Sequence, residues 1–384
     1  MASKEYDIVV YGATGFTGRL IVEYLAQNTD PSTLKWAISG RDSDKLFRLK
    51  NAIAAENETL SDVGVIVASN EDYESLVNLA QSAKVIITLA GPYAEYGELL
   101  VKACVESSTH CLDLSGEPNY VGGIYKDYNF PAERSGSIII SSCGFDSVPA
   151  DLGAFYTALQ LGEGDGKVIQ SYVSVKGSVS GGTLRSAIEN LEKRSLATLG
   201  EVEFSVGHKK FKSFHYQKLF KKWGIPMPVI DPVVVGRSSR ARKDIYGDNF
   251  SYAQYIGLSH LLKTGAVFAG LGTLILASKS TTVKNRLTQW RKSGEGPSED
   301  QRSKSHFKLN FIGTLEDKQV FTSVSGGDPG YSETAKMIGE AALLLVEEPN
   351  KFKGKGGVHT PAGVLGQKYL ERLHQKGILF ERVK

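Results

Sequence analysis

The first 150 residues alternate between two hydrophobic periods. Six apolar runs have the length of buried strands: Ile8–Tyr11, Leu34–Ser39, Val63–Ala68, Val85–Ala90, His110–Leu114 and Ile138–Ser141. Four stretches with helical spacing lie between them: Thr17–Gln27, Lys45–Ala55, Tyr73–Gln81 and Gly97–Glu106. Apolar strands that alternate with helices are typical of a parallel sheet covered on both faces. Because crossovers are right-handed, the pattern predicts an α/β fold with a doubly wound sheet.

The pattern changes after Asp151. We predict three strands and one amphipathic helix there: Lys167–Lys176, Lys304–Gly313, Lys318–Ser325 and Ser332–Glu347. Together they predict a second, α+β domain over residues 151–350, which serves substrate binding or oligomerisation. Residues 351–384 are expected to form a glycine-rich linker and a closing helix around Val364–Gln375.

A glycine-rich loop joins the first predicted strand to the first helix. Its glycines are spaced G-x-x-G-x-x-G. The first glycine allows a tight turn, the second lets the backbone approach a diphosphate, and the third lets the helix pack closely. Amides at the helix start would then face the phosphates. The alternative is a plain strand–helix turn, but the position favours a dinucleotide-binding Rossmann domain over residues 1–150. The predicted contacts are Gly12, Thr14, Gly15, Phe16, Thr17 and Gly18.

The end of the second strand indicates which dinucleotide binds. An acidic residue there favours NAD through the ribose hydroxyl, whereas an arginine favours NADP through the 2′-phosphate. Ser39 and Arg41 together predict a phosphate clamp, and therefore NADP(H). Asp42 is the competing residue; it could instead cap the next helix.

Residues at the ends of later strands are candidates for the reaction centre. Ala90, Gly91 and Pro92 follow the fourth strand, where small residues would let the nicotinamide approach, and Cys143 follows the sixth. The catalytic candidates for proton delivery are Tyr93, Glu117 and Asp146. Each has a structural alternative: loop packing for Tyr93 and Glu117, helix capping for Asp146, and simple packing for Cys143. Tyr93 is also a candidate cofactor contact. Asp113 has the pattern of a buried, hydrogen-bonded carboxylate.

Composition and charge exclude several classes of protein. The 384 residues contain 45 basic and 42 acidic side chains, so bulk charge does not predict a nucleic-acid partner. The three cysteines form no C-x-x-C pair, which favours a reducing, cytoplasmic location over a secreted disulfide scaffold. No metal-ligand spacing is present. The N-terminal residues do not have the pattern of a signal peptide.

One apolar segment spans residues 255–278. It includes fifteen consecutive uncharged residues, Thr264–Ser278, and is followed by several lysines and arginines. Three interpretations remain open: a buried or homodimer-interface helix, shallow insertion into a membrane or lipid-droplet surface, and a lid over a lipid-binding cleft.

Several motifs, in order along nearly the whole chain, resemble the saccharopine dehydrogenase-like oxidoreductases, a family that includes trans-acting enoyl reductases. They are Gly12–Arg19 with Arg41, Gly91–Gly97, Asp113–Glu117, Cys143–Pro149, Ser180–Thr183, Gly296–Glu299, Gly330–Lys336 and Thr360–Ala362. The resemblance implies a Rossmann domain, a second α+β domain and NADP(H). A saccharopine-type substrate needs convergent arginines, and the visible candidates are Arg185, Arg237, Arg240 and Arg242, of which the last three are expected on an exposed loop.

These observations favour an NADP-dependent reductase of a small, apolar substrate, lipid- or polyketide-like or held on a carrier. An amino-acid dehydrogenase is the second hypothesis. The third is a nucleotide-binding protein without turnover that is attached to a lipid droplet or membrane.

Overall fold

The computed structural model describes residues 4–177, 204–227, 229–259 and 296–383. The chain divides into two compact units. The first comprises residues 1–146 and 331–365, and the second comprises residues 147–330 and 366–384.

The described residues form strands and helices that we number along the chain. The strands are β1 (Tyr6–Tyr11), β2 (Trp36–Gly40), β3 (Gly64–Val67), β4 (Ala83–Thr88), β5 (His110–Asp113), β6 (Ile138–Ile140), β7 (Val168–Lys176), β8 (Ser205–Val206), β9 (His215–Gln217), β10 (Lys222–Pro226), β11 (Ser251–Leu258), β12 (His306–Leu315), β13 (Lys318–Gly326), β14 (Gly357–His359) and β15 (Leu379–Arg382). The α-helices are α1 (Phe16–Asn28), α2 (Ser43–Glu56), α3 (Tyr73–Ser82), α4 (Tyr93–Glu106), α5 (Pro118–Ser135), α6 (Val148–Leu161), α7 (Asp231–Ala241), α8 (Lys243–Tyr246), α9 (Glu299–Ser303), α10 (Ser332–Glu347), α11 (Pro361–Val364) and α12 (Gly366–Gln375).

The first unit is built on a seven-stranded parallel sheet in the order β14-β6-β5-β4-β1-β2-β3. The strand order reverses at β1, which lies between β2 and β4. Central residues such as Val9 and Ile86 are fully buried, which is why these strands have continuous apolar runs rather than alternation. All six predicted strands are present, and the predicted doubly wound α/β fold is confirmed.

The division of the chain differs from the predicted one. Helix α10 packs on α1, β1 and β4, and β14 pairs with Ile138–Ile140 of β6, so residues 331–365 belong to the first unit rather than to a domain of 151–350. The first boundary falls at Asp146 rather than at residue 150, because α6 packs on strands of the second unit. The glycine-rich stretch in 351–384 is therefore not a linker between domains, since it leads into β14. An amphipathic pattern shows that α10 has an apolar face, but not which sheet covers that face.

The second unit is built on an eight-stranded mixed sheet with the main order β15-β13-β12-β7-β11-β10-β9, with β8 paired to β11. Strands β12 and β13 form the predicted hairpin, and Glu316 at its turn has a φ of 51°. Helix α6 packs on β12 and β13. The predicted α+β character of this region is confirmed.

Two predictions in the second unit require correction or lie outside the described residues. Arg237 and Arg240 lie on helix α7, not on an exposed loop, and Arg242, which follows it, pairs with Asp244 at 2.7 Å. Of the apolar segment 255–278, the first four residues are part of β11, where Tyr255 is fully buried. The remainder from residue 260, and Arg185 and Ser180–Thr183, lie outside the described residues. Among the described helices, none is long and apolar enough to cross a membrane.

Candidate active site and cofactor site

The glycine loop has a geometry that only its glycines allow. Gly12 has a φ of +86°, in the left-handed region that favours glycine. The amides of Gly12 and Ala13 donate to the Ser39 carbonyl at 2.9 and 3.1 Å, which ties the loop to the end of β2. A side chain at Gly18 would clash with the Gly12 carbonyl and would lie 2.7 Å from the Ala13 carbonyl. The first and third glycines are therefore required for the turn and for close packing of α1.

Helix α1 begins without a side-chain cap. Gly15 is its N-cap residue and makes no side-chain hydrogen bond, and its first turn contains no acidic residue. The first amides of a helix have no partner within the helix, and they carry the positive end of its dipole. The Phe16 and Tyr331 rings, both of the first unit, pack edge to face with centroids 5.0 Å apart. The start of α1 therefore fits an anionic diphosphate, which would be held by the backbone amides of the residues that follow Gly15.

The structure at the end of β2 shows which polar residues could contact a ribose or its 2′-phosphate and which one caps the next helix. Asp42 caps α2, since its carboxylate accepts a hydrogen bond from the Lys45 amide at 3.0 Å, and the Lys45 side chain pairs with it. Arg41 is exposed. The Ser39 hydroxyl is buried, without a hydrogen-bond partner among the described residues, so it is not accessible to a ligand. Of the predicted clamp, Ser39 and Arg41, only Arg41 is accessible, and it does not form the cap that Asp42 and Lys45 share.

Two residues near Arg41 were not predicted as part of this corner. The Tyr11 hydroxyl, at the end of β1, donates to the Asn70 side-chain oxygen at 2.9 Å. Burial raises the pKa of Tyr11 to about 12, and the nearby Arg41 charge opposes this shift. Asn70 follows β3, so the ends of β1, β2 and β3 meet here. The sequence signal was available in principle, because β3 is the expected neighbour of β2 in a doubly wound sheet.

Glu117 closes the start of α4. Its two carboxylate oxygens accept hydrogen bonds from the Tyr93 amide at 3.1 Å and the Ala94 amide at 3.0 Å. Its own amide donates to the Ser115 hydroxyl. Glu117 is nearly buried. The carboxylate is thus the anion that satisfies this helix terminus, and the contacts account for the residue without a catalytic role.

The Tyr93 hydroxyl bridges two strand ends. It donates to the Thr88 carbonyl at 3.1 Å and accepts from the Leu114 amide at 3.3 Å. Burial, followed by the charge of Asp113, raises the pKa of Tyr93 well above its ordinary value. Its proton is therefore held by a backbone carbonyl, and the phenol is a poor proton donor to a substrate.

Asp113 is the centre of a buried hydrogen-bond network. Its carboxylate accepts from the Ser115 amide at 2.8 Å, the Ser142 amide at 3.1 Å and the Ser141 hydroxyl at 2.8 Å. The Tyr120 hydroxyl adds a contact at 3.3 Å. Burial raises the pKa of Asp113 to about 6 in spite of these donors. The interpretation of Asp113 as a hydrogen-bonded structural carboxylate is confirmed, and it fixes the loops that follow β5 and β6.

Asp146 differs from both Glu117 and Asp113. The residue as a whole is exposed, and its carboxylate has no hydrogen-bond partner among the described residues. Desolvation by the surrounding protein nevertheless raises the pKa of Asp146. It does not cap α6, whose N-cap residue is Ser147. Gly116 leaves room for it, since a side chain there would lie 3.0 Å from the Asp146 carboxylate.

The other predicted contacts lie on the same edge of the sheet. Ala90 and Gly91 are accessible, and the Gly91–Pro92 peptide is cis. Cys143 is fully buried, and its amide donates to the Asp113 carbonyl at 2.8 Å. Its place is that of a packing residue at the end of β6. Thr14 and Thr17 are partly exposed beside Gly15.

Comparisons with known proteins agree with this architecture. Residues 8–137 match the family model of the saccharopine dehydrogenase NADP-binding domain. A Homo sapiens saccharopine dehydrogenase-like oxidoreductase is 32% identical, with 98% of this chain and 97% of that protein covered. A Caenorhabditis elegans lipid droplet localized protein is 30% identical over 98% of both chains. A Mycobacterium tuberculosis protein, provisionally named a trans-acting enoyl reductase, is 29% identical over 99% of this chain and 98% of that one.

A solved structure shares the fold. Apo saccharopine dehydrogenase (L-Glu forming) from Saccharomyces cerevisiae covers 99% of this chain and 100% of its own, with a TM-score of 0.55 and 14% identity. The chain therefore belongs to the saccharopine dehydrogenase-like oxidoreductase family, and it is an NADP-dependent oxidoreductase that acts on a small molecule.

Proposed function

We propose that the protein is an NADPH-dependent reductase of an apolar, lipid- or polyketide-like acyl substrate. The observation that carries the proposal is the charge of the loops beyond the carboxyl ends of β4, β5 and β6. Residues 89–92, 114–117 and 141–146 contain no lysine or arginine. A substrate with several carboxylates needs cationic partners, and these loops offer none. The relative named as a trans-acting enoyl reductase agrees with this choice.

Each of these residues of the first unit has a separate proposed role. The amides at the start of α1 bind the diphosphate, and Arg41 binds the 2′-phosphate of the adenosine ribose. NADPH, when bound, supplies a hydride. Glu117 and Tyr93 act as positioning residues, since they hold the turn at Gly91 against the ends of β4 and β5. Asp146 supplies the proton to the substrate carbon that does not receive the hydride.

The cofactor half of the proposal is tested with Arg41→Ala. Loss of a charge-assisted hydrogen bond costs about 1.5–3 kcal/mol, so the Kd for NADPH should rise roughly ten- to hundredfold while the Kd for NADH changes little. Fluorescence titration of both nucleotides measures this. Arg48→Ala is the matched control, because Arg48 is an exposed arginine on α2. Wild-type protein that binds NADH as tightly as NADPH would contradict the role of Arg41.

The catalytic half is tested with Asp146→Asn. A positioned proton donor contributes roughly 10²–10⁴ in rate, so kcat should fall by that factor with little change in KM or in NADPH affinity. Because Asp146 acts as an acid with a raised pKa, the wild-type rate should fall as pH rises through that pKa, and the variant should lose this dependence. Asp127→Asn, at an exposed acid on α5, is the control.

The substrate is tested by following NADPH oxidation with 2-enoyl thioesters of increasing chain length, and NADP⁺ reduction with saccharopine. The proposal expects turnover of the thioesters only. Turnover of saccharopine alone would identify an amino-acid dehydrogenase. Nucleotide binding without any turnover would favour the third hypothesis, a protein that binds NADP(H) without a reaction.

A further inference from the structure

The edge of the second unit carries an unusual concentration of lysines and aromatic rings. We define the basic hairpin as residues 207–226, which contain β9, β10 and the segment before them. This segment holds no aspartate or glutamate and six lysines: Lys209, Lys210, Lys212, Lys218, Lys221 and Lys222. Five of them are exposed, and none pairs with a carboxylate among the described residues. A chain whose net charge is only +3 therefore concentrates six positive charges at one edge.

One side of the basic hairpin is anchored in the sheet. The His215 ring shares a hydrogen bond with the Tyr172 hydroxyl at 2.7 Å, and Phe220 packs on the Tyr172 ring. Phe211 and Phe220 both lie against the buried cluster around Tyr172 and Tyr255. The hairpin is thus held rigidly, although β9 is the last strand of the sheet.

The opposite side of the hairpin exposes rings. Tyr216 pairs with Trp223 across the two strands, with centroids 5.3 Å apart, and Phe214 stacks on Trp223 at 4.9 Å. Phe214 is 50% exposed and Tyr216 is 46% exposed. Leu219, at the turn between the strands, is also exposed. Apolar groups of this size are normally covered, and an exposed cluster of them marks an interaction surface.

We propose that the basic hairpin is a docking surface for an anionic lipid surface. Aromatic rings favour the polar–apolar boundary of a lipid layer, and each lysine near an anionic leaflet contributes about 1 kcal/mol of attraction. A single-stranded nucleic acid fits less well, because Phe214 and Trp223 stack on each other at an interplanar angle of 10° and so do not both offer a face to a base.

The neighbouring strand agrees with a lipid partner. Trp223 pairs with Leu258, the last residue of β11, and in sequence the uncharged run 264–278 begins six residues later. The most apolar part of the sequence therefore follows the strand that pairs with β10. The docking proposal is independent of the substrate, and it holds whether or not the protein reduces an acyl chain.

The test is flotation of the full-length protein with vesicles of phosphatidylcholine alone and of phosphatidylcholine with 30% phosphatidylserine. We expect binding to the anionic vesicles only, weakened by salt. Lys209→Ser with Lys210→Ser should lower the partition coefficient roughly thirtyfold, from about 1 kcal/mol per lysine. Lys126→Ser with Lys353→Ser is the control of equal charge, and it should change little, since both are exposed lysines of the first unit.

The aromatic contribution is tested with Phe214→Ser combined with Tyr216→Ser, which should weaken vesicle binding several-fold. The control of matched composition is Tyr125→Ser with Phe130→Ser on α5, where the rings are 47% and 65% exposed. NADPH titration verifies that the first unit of every variant is folded, and thermal unfolding followed by circular dichroism verifies the second. Vesicle binding that survives both hairpin variants, or that falls equally in the controls, would overturn the proposal. A different result would also overturn it: vesicle binding that falls in the lysine variant but not in the aromatic variant, together with wild-type binding to heparin as tight as to anionic vesicles. That result would identify a soluble polyanion as the partner.

Discussion

Two helices begin at the carboxyl edge of neighbouring strands in the first unit, and their first amides are satisfied in opposite ways. Helix α1 follows β1, its N-cap is Gly15, which supplies no side-chain cap, and its first turn contains no acidic residue. Helix α4 follows β4, and Glu117 places one carboxylate oxygen on each of its first two amides. A carboxylate of the chain thus neutralises the start of α4, whereas the first turn of α1 supplies none. We infer that a helix start can bind an anionic ligand when no carboxylate of the chain occupies its first amides.

The variant expected to have the largest effect on this difference between the two helix starts is Gly15→Asp. Gly15 has a φ of −69°, which any residue adopts, and the nearest atom to an added side chain is the Gly12 carbonyl at 3.3 Å. An aspartate would cap α1 and repel a diphosphate. Like charges 4 Å apart repel by about 4 kcal/mol at an effective dielectric of 20, so the Kd for NADPH should rise a hundredfold or more. Thermal stability should be unchanged or slightly raised.

Gly15→Ala is the control for Gly15→Asp, because it adds a side chain without a charge. We expect a much smaller loss of affinity. Equal losses in the two variants would mean that space, and not charge, governs the start of α1.

The start of α4 is linked to Asp113, because the Asp113 carboxylate accepts a hydrogen bond from the Ser115 amide in the loop that carries Glu117. The contribution of Asp113 to stability varies with pH. The pKa of Asp113 is raised from 3.8 to about 6 by burial, so its contribution to stability is fully present below pH 3.8 and is lost as pH rises through 6. The amide side chain in the Asp113→Asn variant resembles the protonated acid and does not titrate. Relative to this variant, the wild type should therefore gain about 2–2.5 kcal/mol of unfolding free energy between pH 7 and pH 4. Urea unfolding across this range measures the difference, and a constant difference would contradict the raised pKa.

A smaller effect is expected from Glu117→Gln. The amide keeps one acceptor oxygen, so one of the two amides of α4 loses its partner, and unfolding free energy should fall by about 1–2 kcal/mol. Glu95→Gln, an exposed acid in the first turn of the same helix, should cost at most about 1 kcal/mol through the dipole alone. NADPH affinity should change little in both variants. A large loss of NADPH affinity in Glu117→Gln would show that the two helix starts are not separate.

Hydrophobic period predicted six of the seven strands of the first sheet and three of the eight strands of the second. The six parallel strands were identified because continuous apolar runs of strand length alternate with helical spacing. Strand β14 was missed because three residues after a glycine-rich stretch carry too little pattern. The return of residues 331–365 to the first unit was missed because α10 has an apolar face that would suit either sheet.

The residues of the candidate site also fall into a predicted group and a group that was not predicted. Residues whose role depends on local backbone geometry, such as Gly12 and Gly18, were predicted from spacing alone. The distant partners of Glu117 and Tyr11 were not predicted. Glu117 meets the start of α4 only because β4 and β5 are adjacent, and Tyr11 meets Asn70 only because three strands end at one corner. Spacing along the chain does not give these distances, although the expected strand order places the ends of β2 and β3 side by side.

The most direct measurement is a crystal structure of the protein with NADPH. We predict diphosphate oxygens within about 2.7–3.2 Å of the amides at the start of α1, with the 2′-phosphate on Arg41 and no phosphate at the start of α4. A diphosphate bound elsewhere, or an α1 start covered by the protein's own side chains, would contradict this prediction.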